Sequence, residues 1–139
     1  MTTMAQSIAS TLSAYLAASP PFDWQARNCA QFAAGWVQAV EHRPLPAPAV
    51  RNLAHSRRVL CRLGGSLRAA VTAALARDPV PAAVARPGDV VLIERDGGQT
   101  LGICVGRTAA VLTAAGVAHI GMAQAAAAWH IKAAPCDPC

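Results

Sequence analysis

Cys29 is the residue whose position invites chemistry. It follows Asn28 in the run Phe22-Asp23-Trp24-Gln25-Ala26-Arg27-Asn28-Cys29-Ala30-Gln31-Phe32, and from it apolar residues recur at Phe32, Ala33, Trp36, Val37 and Val40. Steps of three and one in alternation trace one face of a helix, and Asn28 suits the N-cap. The thiol then falls in the first helical turn, where free N–H groups and the positive end of the helix dipole favour a thiolate. A nucleophile of this kind needs a base within hydrogen-bond reach. Four histidines are available: His42 and His55 in the first half, His119 on a later strand, and His130 directly after Trp129. His119 and His130 are the candidate bases, provided the sheet carries one of them to Cys29. The competing reading is that Cys29 packs as a small hydrophobe.

The other thiols divide by position. There are five cysteines, and an odd number excludes a fully paired disulfide scaffold. Cys61 and Cys104 read as core residues of a helix and a strand. Cys136-Asp137-Pro138-Cys139 ends the chain with two thiols spaced to chelate one zinc or iron ion, but a stable site needs four ligands. Cys136 and Cys139 are therefore half a metal site whose other half a partner subunit must supply. The pair otherwise forms a small disulfide, and the simplest reading is two incidental thiols on a tail.

Charge and hydropathy bound the remaining functions. Of twelve basic residues eleven are arginine, and the net charge is +5. Arg51, Arg57, Arg58, Arg62 and Arg68 crowd the middle of the chain with His55. Stacking aromatics do not interleave with them and no nucleic-acid-binding motif accompanies them, which argues for a solvated face or a patch meeting an acidic protein rather than for nucleic acid. No stretch reaches the roughly 18 apolar residues of a membrane span. Met1–Ser19 places Ile8, Leu12, Tyr15 and Leu16 at helical spacing and has no basic residue ahead of them, so it reads as an amphipathic helix and not as a signal segment. Synthesis without export, with reduced thiols, is the expectation.

The elements that position these residues change character midway. Residues 1–18 form a leading helix and residues 22–78 a helical half, with Ser19-Pro20-Pro21 and Arg43-Pro44-Leu45-Pro46-Ala47-Pro48 as breaks. A third helix is expected over Ala49–Leu63, stopped by Gly64-Gly65, and a fourth begins after Ser66 with Leu67, Val71, Ala74 and Leu75 on one side. Residues 87–133 then read as an antiparallel sheet. Val90–Ile93 and Leu101–Gly106 form a hairpin across Asp96-Gly97-Gly98, and Ala109–Leu112, Val117–Met122 and Trp129–Ile131 follow, with a helical turn over Ala123–Ala128. Helices followed by a meander give a single α+β domain over 1–139, with 134–139 as a cysteine-bearing tail. With 33 alanines and only 4% aromatic residues, its core is thin in large side chains.

Order and spacing together resemble the NlpC-type peptidases of the papain-like superfamily, and in particular the small NlpC-like proteins of bacteriophage tail tips and baseplates. The carriers are Phe22-Asp23-Trp24 before Asn28-Cys29, Phe32 with Trp36, and Pro87-Gly88-Asp89-Val90-Val91-Leu92 with Leu101-Gly102-Ile103-Cys104-Val105-Gly106. The resemblance implies helices packed on a small antiparallel sheet or half-barrel. It also implies a virion location reached by assembly in the host cytoplasm, and hub, distal-tail and central-fibre proteins as partners. Active relatives of this kind cleave peptidoglycan stem peptides, and hub proteins resembling this context can carry iron–sulfur clusters. One departure decides how much carries over. Such peptidases place a histidine just before the strand that here reads Leu101-Gly102-Ile103, yet this chain has Gln99 and Thr100, neither of them a base at neutral pH. The third polar residue, expected about a dozen positions on, falls near Leu112-Thr113. The expectation is a structural component of the tail tip without peptidase activity and without a cofactor of its own. The alternative is an active cysteine peptidase or amidase on peptidoglycan with Cys29 as nucleophile.

Overall fold

The computed structural model describes residues 4–132 apart from Asp96. Four helices precede a five-stranded antiparallel sheet, so the chain is an α+β fold. The helices are α1 (Met4–Ala18), α2 (Cys29–Glu41), α3 (Leu53–Arg62) and α4 (Leu67–Leu75). The strands are β1 (Val90–Arg95), β2 (Gly98–Cys104), β3 (Thr108–Thr113), β4 (Gly116–Gly121) and β5 (Ala125–Trp129), laid out in the order β4-β3-β2-β1-β5. Strands β1 to β4 meander as their turns require, but β5 returns to the far side of β1.

Helix α2 is the spine of the molecule. Phe32, Trp36 and Val37 are all but fully buried and pack with Val90, Leu92, Leu101 and Ile103 on one face of the sheet. The Trp36 indole donates to the carbonyl of Gly88 at 2.7 Å. Gly88 has φ of +95°, which a residue with a Cβ adopts only under strain, and a Cβ there would also press on Ile8. Helix α1 lies against α2 at Gly35, where Tyr15 donates to the Phe32 carbonyl at 2.6 Å and leaves no room for a larger residue. The opposite face of the sheet carries its own cluster, Val91, Ile93, Cys104, Ala109, Val111, Ile120 and Ala128, with Val80 and Ala85 from the preceding segment over it.

Three differences from the sequence expectation have physical causes. The alanine run after Met122 is not a helical turn: a short 3-10 turn over Met122–Gln124 leads straight into β5. Ala127 and Ala128 pair with Leu92 and Val91 and are fully buried, one on each face of the sheet. Sheet pairing overrides the helix preference of alanine there, since intrinsic propensity is a weak prior against tertiary context. His130 and Ile131 consequently lie past the strand. Helix α3 begins only at Leu53, because the Asn52 side chain accepts from the His55 N–H and caps it. It buries no residue, so Cys61, expected in the core, is exposed, whereas Cys104 is buried as expected. Among the described residues no helix is long and apolar enough to cross a membrane.

Candidate functional site

The N-terminus of α2 is built as a fixed platform. The Asp23 carboxylate accepts from the N–H groups of Gln25 and Ala26, both at 2.9 Å, and these bonds hold its pKa below the ordinary value. The turn they close pairs Asp23 with Arg27 through two backbone bonds. Asn28 follows in extended conformation and is buried. Its Oδ1 accepts from the Gln31 N–H at 2.9 Å, while Gln31 Oε1 accepts from the Asn28 N–H at 2.8 Å, a complete capping box. Its Nδ2 donates to the carbonyls of Trp24 and Pro48, at 3.0 and 3.2 Å. One side chain therefore locks the first turn of α2 to the turn before it and to the proline-rich connector.

Cys29 stands on that platform, half-buried and unpaired. It lines a broad groove of about 1780 Å³ bounded by α2, the connector, α3, α4 and the β1–β2 hairpin. The start of β2 reaches its margin, with Gln99, Thr100 and Leu101 all lining it. Strand alternation puts Leu101 and Ile103 towards α2, and with them Gln99, whose amide donates to Glu94 at 3.1 Å. Thr100 falls on the other face with Gly102 and Cys104. Neither position offers a base, and among the described residues no histidine lines the groove.

Each histidine is placed elsewhere. His42 caps the far end of α2 with φ of 56°, roughly 20 Å from Cys29 at helical rise. His55 lies in the first turn of α3, its Nδ1 accepting from the Arg51 N–H at 3.0 Å. His119 is exposed on β4, an outer strand of the sheet, and its ring meets Thr108 Oγ1 at 3.4 Å. His130 holds Asp89 Oδ2 through Nδ1 at 2.7 Å. Its carbonyl accepts from Arg77, which also bridges to Glu41 in the last turn of α2. The candidate base His130 thus shares the end of α2 opposite Cys29, and the structure brings neither it nor His119 into the groove that Cys29 lines.

The Asp89–His130 pair is the arrangement that sequence reading missed. Asp89 is 1% exposed and accepts from the N–H groups of Arg86 and Ile131, at 2.8 and 3.0 Å, in addition to His130. The one signal was an aspartate immediately before the apolar run Val90–Ile93, which reads as turn chemistry unless its partner, 41 residues away, is known. Nearby, Cys104 donates its thiol to the Gly106 carbonyl at 3.5 Å, and burial pushes its pKa up, as suits an inert core thiol. Cys136 and Cys139 lie outside the described residues. Among the described ones no cluster of His, Cys, Asp and Glu could hold a metal ion.

Residues 3–131 match the model of a family described as a domain of unknown function (DUF6950), and the chain belongs to that family. No curated protein matches it.

Proposed function

We propose that this member of the family is a structural component of a bacteriophage tail tip or baseplate hub, an NlpC-like domain that has lost peptidase activity and serves as an assembly module. The observation that carries the reading is Cys29: a thiol in nucleophile position on a capped helix N-terminus, beside an open groove that no histidine lines among the described residues. A domain can keep its framework and lose its chemistry, because function resides in the site and not in the fold. The tail-tip location rests on the resemblance carried by Phe22–Phe32, Pro87–Leu92 and Leu101–Gly106. Hub, distal-tail and central-fibre proteins are the proposed partners, and Cys136 with Cys139 the proposed half of a zinc or iron–sulfur site completed by one of them. Purified virions test the location: the chain is expected there at a fixed ratio to the tail proteins, and its absence from them refutes the assignment. Metal analysis of the assembled tip tests the shared site, which fails if zinc and iron are both missing.

The pre-ordered Asn28 cap favours a second reading, an active cysteine peptidase or amidase acting on peptidoglycan. It requires a base delivered to Cys29 from outside the groove, so activity with a partner present and none without it is its signature.

A further inference from the structure

From His42 to Arg77 the chain contains no acidic residue and seven arginines. Arg43 and Arg77 pair with Glu41. The other five, Arg51, Arg57, Arg58, Arg62 and Arg68, are exposed, and no carboxylate pairs with any of them among the described residues. The same stretch holds α3, an amphipathic helix with no fully buried residue; Leu60 is partly covered by the core, but Leu53 and the C-cap Leu63 are 51% and 47% exposed. Arg57, Arg58 and Arg62 thus lie together with exposed leucines on α3 and its C-cap, and Arg51 and Arg68 flank them.

The direction of these leucines narrows what covers them. Leu53, Val59, Leu60 and Leu63 all line the groove, facing Leu45 of the connector and Leu67 of α4 across it, and Arg57 and Arg62 line it with them. Among the described residues the lining's charged groups include Arg57 and Arg62, with Glu94 the one acidic residue. A flat bilayer cannot enter a concave site, so the apolar face of α3 is not turned towards a membrane surface in the manner of an interfacial helix. A nucleic acid would satisfy the arginines but leave the leucines bare. The volume also exceeds the roughly 300–1,000 Å³ of small-molecule pockets.

We propose that the groove receives an apolar polypeptide segment carrying acidic side chains, supplied by a partner protein, with its apolar residues against Leu53, Leu60 and Leu63 and its carboxylates on Arg57 and Arg62. The inference deepens the assembly reading and rests on it, by naming the surface and the chemistry of the partner. Charge complementarity supplies the choice of partner, since juxtaposed opposite charges steer encounter and exclude segments that carry basic residues.

Selection of a random peptide display library against the full chain tests the proposal. The expected outcome is enrichment of peptides that combine apolar anchors with Asp or Glu. Their affinity should fall at least about tenfold in the double variant Arg57→Glu/Arg62→Glu, fall as salt is raised, and stay unchanged in Arg107→Glu, an exposed arginine outside the groove. The variant Leu63→Ser should weaken binding with the fold intact, because Leu63 is already exposed. Failure to enrich any peptide, enrichment without an acidic bias, or unchanged affinity in the double charge reversal overturns it. So does self-association that Leu63→Ser abolishes, which would make a second copy the occupant, or binding to vesicles of phosphatidylcholine and phosphatidylglycerol that competes with the peptides. The assembly reading itself is scored separately, by the virion composition, so either can fail without the other.

Discussion

Asn28 and Asp89 are the two polar residues buried in the described core, and each carries more structure than its neighbours. Asn28 satisfies a donor of α2 and two carbonyls from other segments. Asn28→Ala should therefore cost about 1–3 kcal/mol in denaturant unfolding, the sum expected for a lost cap and stranded carbonyls. Asn28→Asp keeps the acceptor at the cap and loses both donations, so its cost should be smaller. Asp89 ties the start of β1 to the segment after β5. Removing its carboxylate leaves the Arg86 and Ile131 N–H groups without their acceptor, and Asp89→Ala should cost about 3 kcal/mol or more. An unfolding midpoint equal to wild type in either alanine variant contradicts this account of the platform and of the sheet's edge. Asn28 was legible from sequence because a cap and its helix are neighbours. The Asp89–His130 contact was not, because tertiary structure alone brings the two together.

Two helix termini set the pH response. Glu41, in the last turn of α2, meets Arg77, Arg43 and the Lys132 N–H. Burial pushes its carboxyl up, but the Arg77 hydrogen bonds, the Lys132 N–H and the two arginine charges outweigh it and hold the pKa below the ordinary 4.5. A carboxylate held low stabilises the fold fully above pH 4.5, and that contribution is lost as pH falls through the lower folded value. Thermal midpoints measured downward from pH 6 should drop more steeply in wild type than in Glu41→Gln; parallel curves would contradict the clamp. His55 behaves as a depressed histidine. Loss of contact with water, then Arg51, Arg58 and Arg62, keep its pKa below 6.5, and its Nδ1 accepts a bond that protonation abolishes. Helix α3 should be best ordered above pH 6.5 and loosen as pH falls through the depressed value. Amide exchange should accelerate in α3 between pH 7.5 and 5.5, after correction for intrinsic rates, and His55→Ala should remove the difference. At this scale α2 could be read from its apolar stripe, and the β1–β2 hairpin from its turn glycines. Strand β5 could not, since its four consecutive alanines carry no period of their own and become a strand only by pairing with β1. Cys61 was misread for a related reason: its helix has an apolar stripe that lines the groove and reaches the core only through Leu60, which leaves Cys61 exposed.

For the whole molecule, the composition and the architecture point the same way. A core mainly of leucine, valine and isoleucine closes around Phe32, Trp36 and Trp129, while a basic stretch without acids and a broad apolar groove are left outside it. Both features suit a protein whose role lies in contacts, and the sole thiol in nucleophile position faces that groove without a histidine beside it among the described residues. The α+β class was legible because the apolar period changes near residue 87; the groove was not, because it forms between segments far apart in the sequence that only tertiary structure brings together. The central claim is that Cys29 does no chemistry in the isolated chain. Purified sacculi incubated with wild type and with Cys29→Ala provide the direct comparison, read as release of free amino groups and of soluble muropeptides. Release at the level of buffer in both is the predicted result. Release by wild type that disappears in Cys29→Ala would contradict the account.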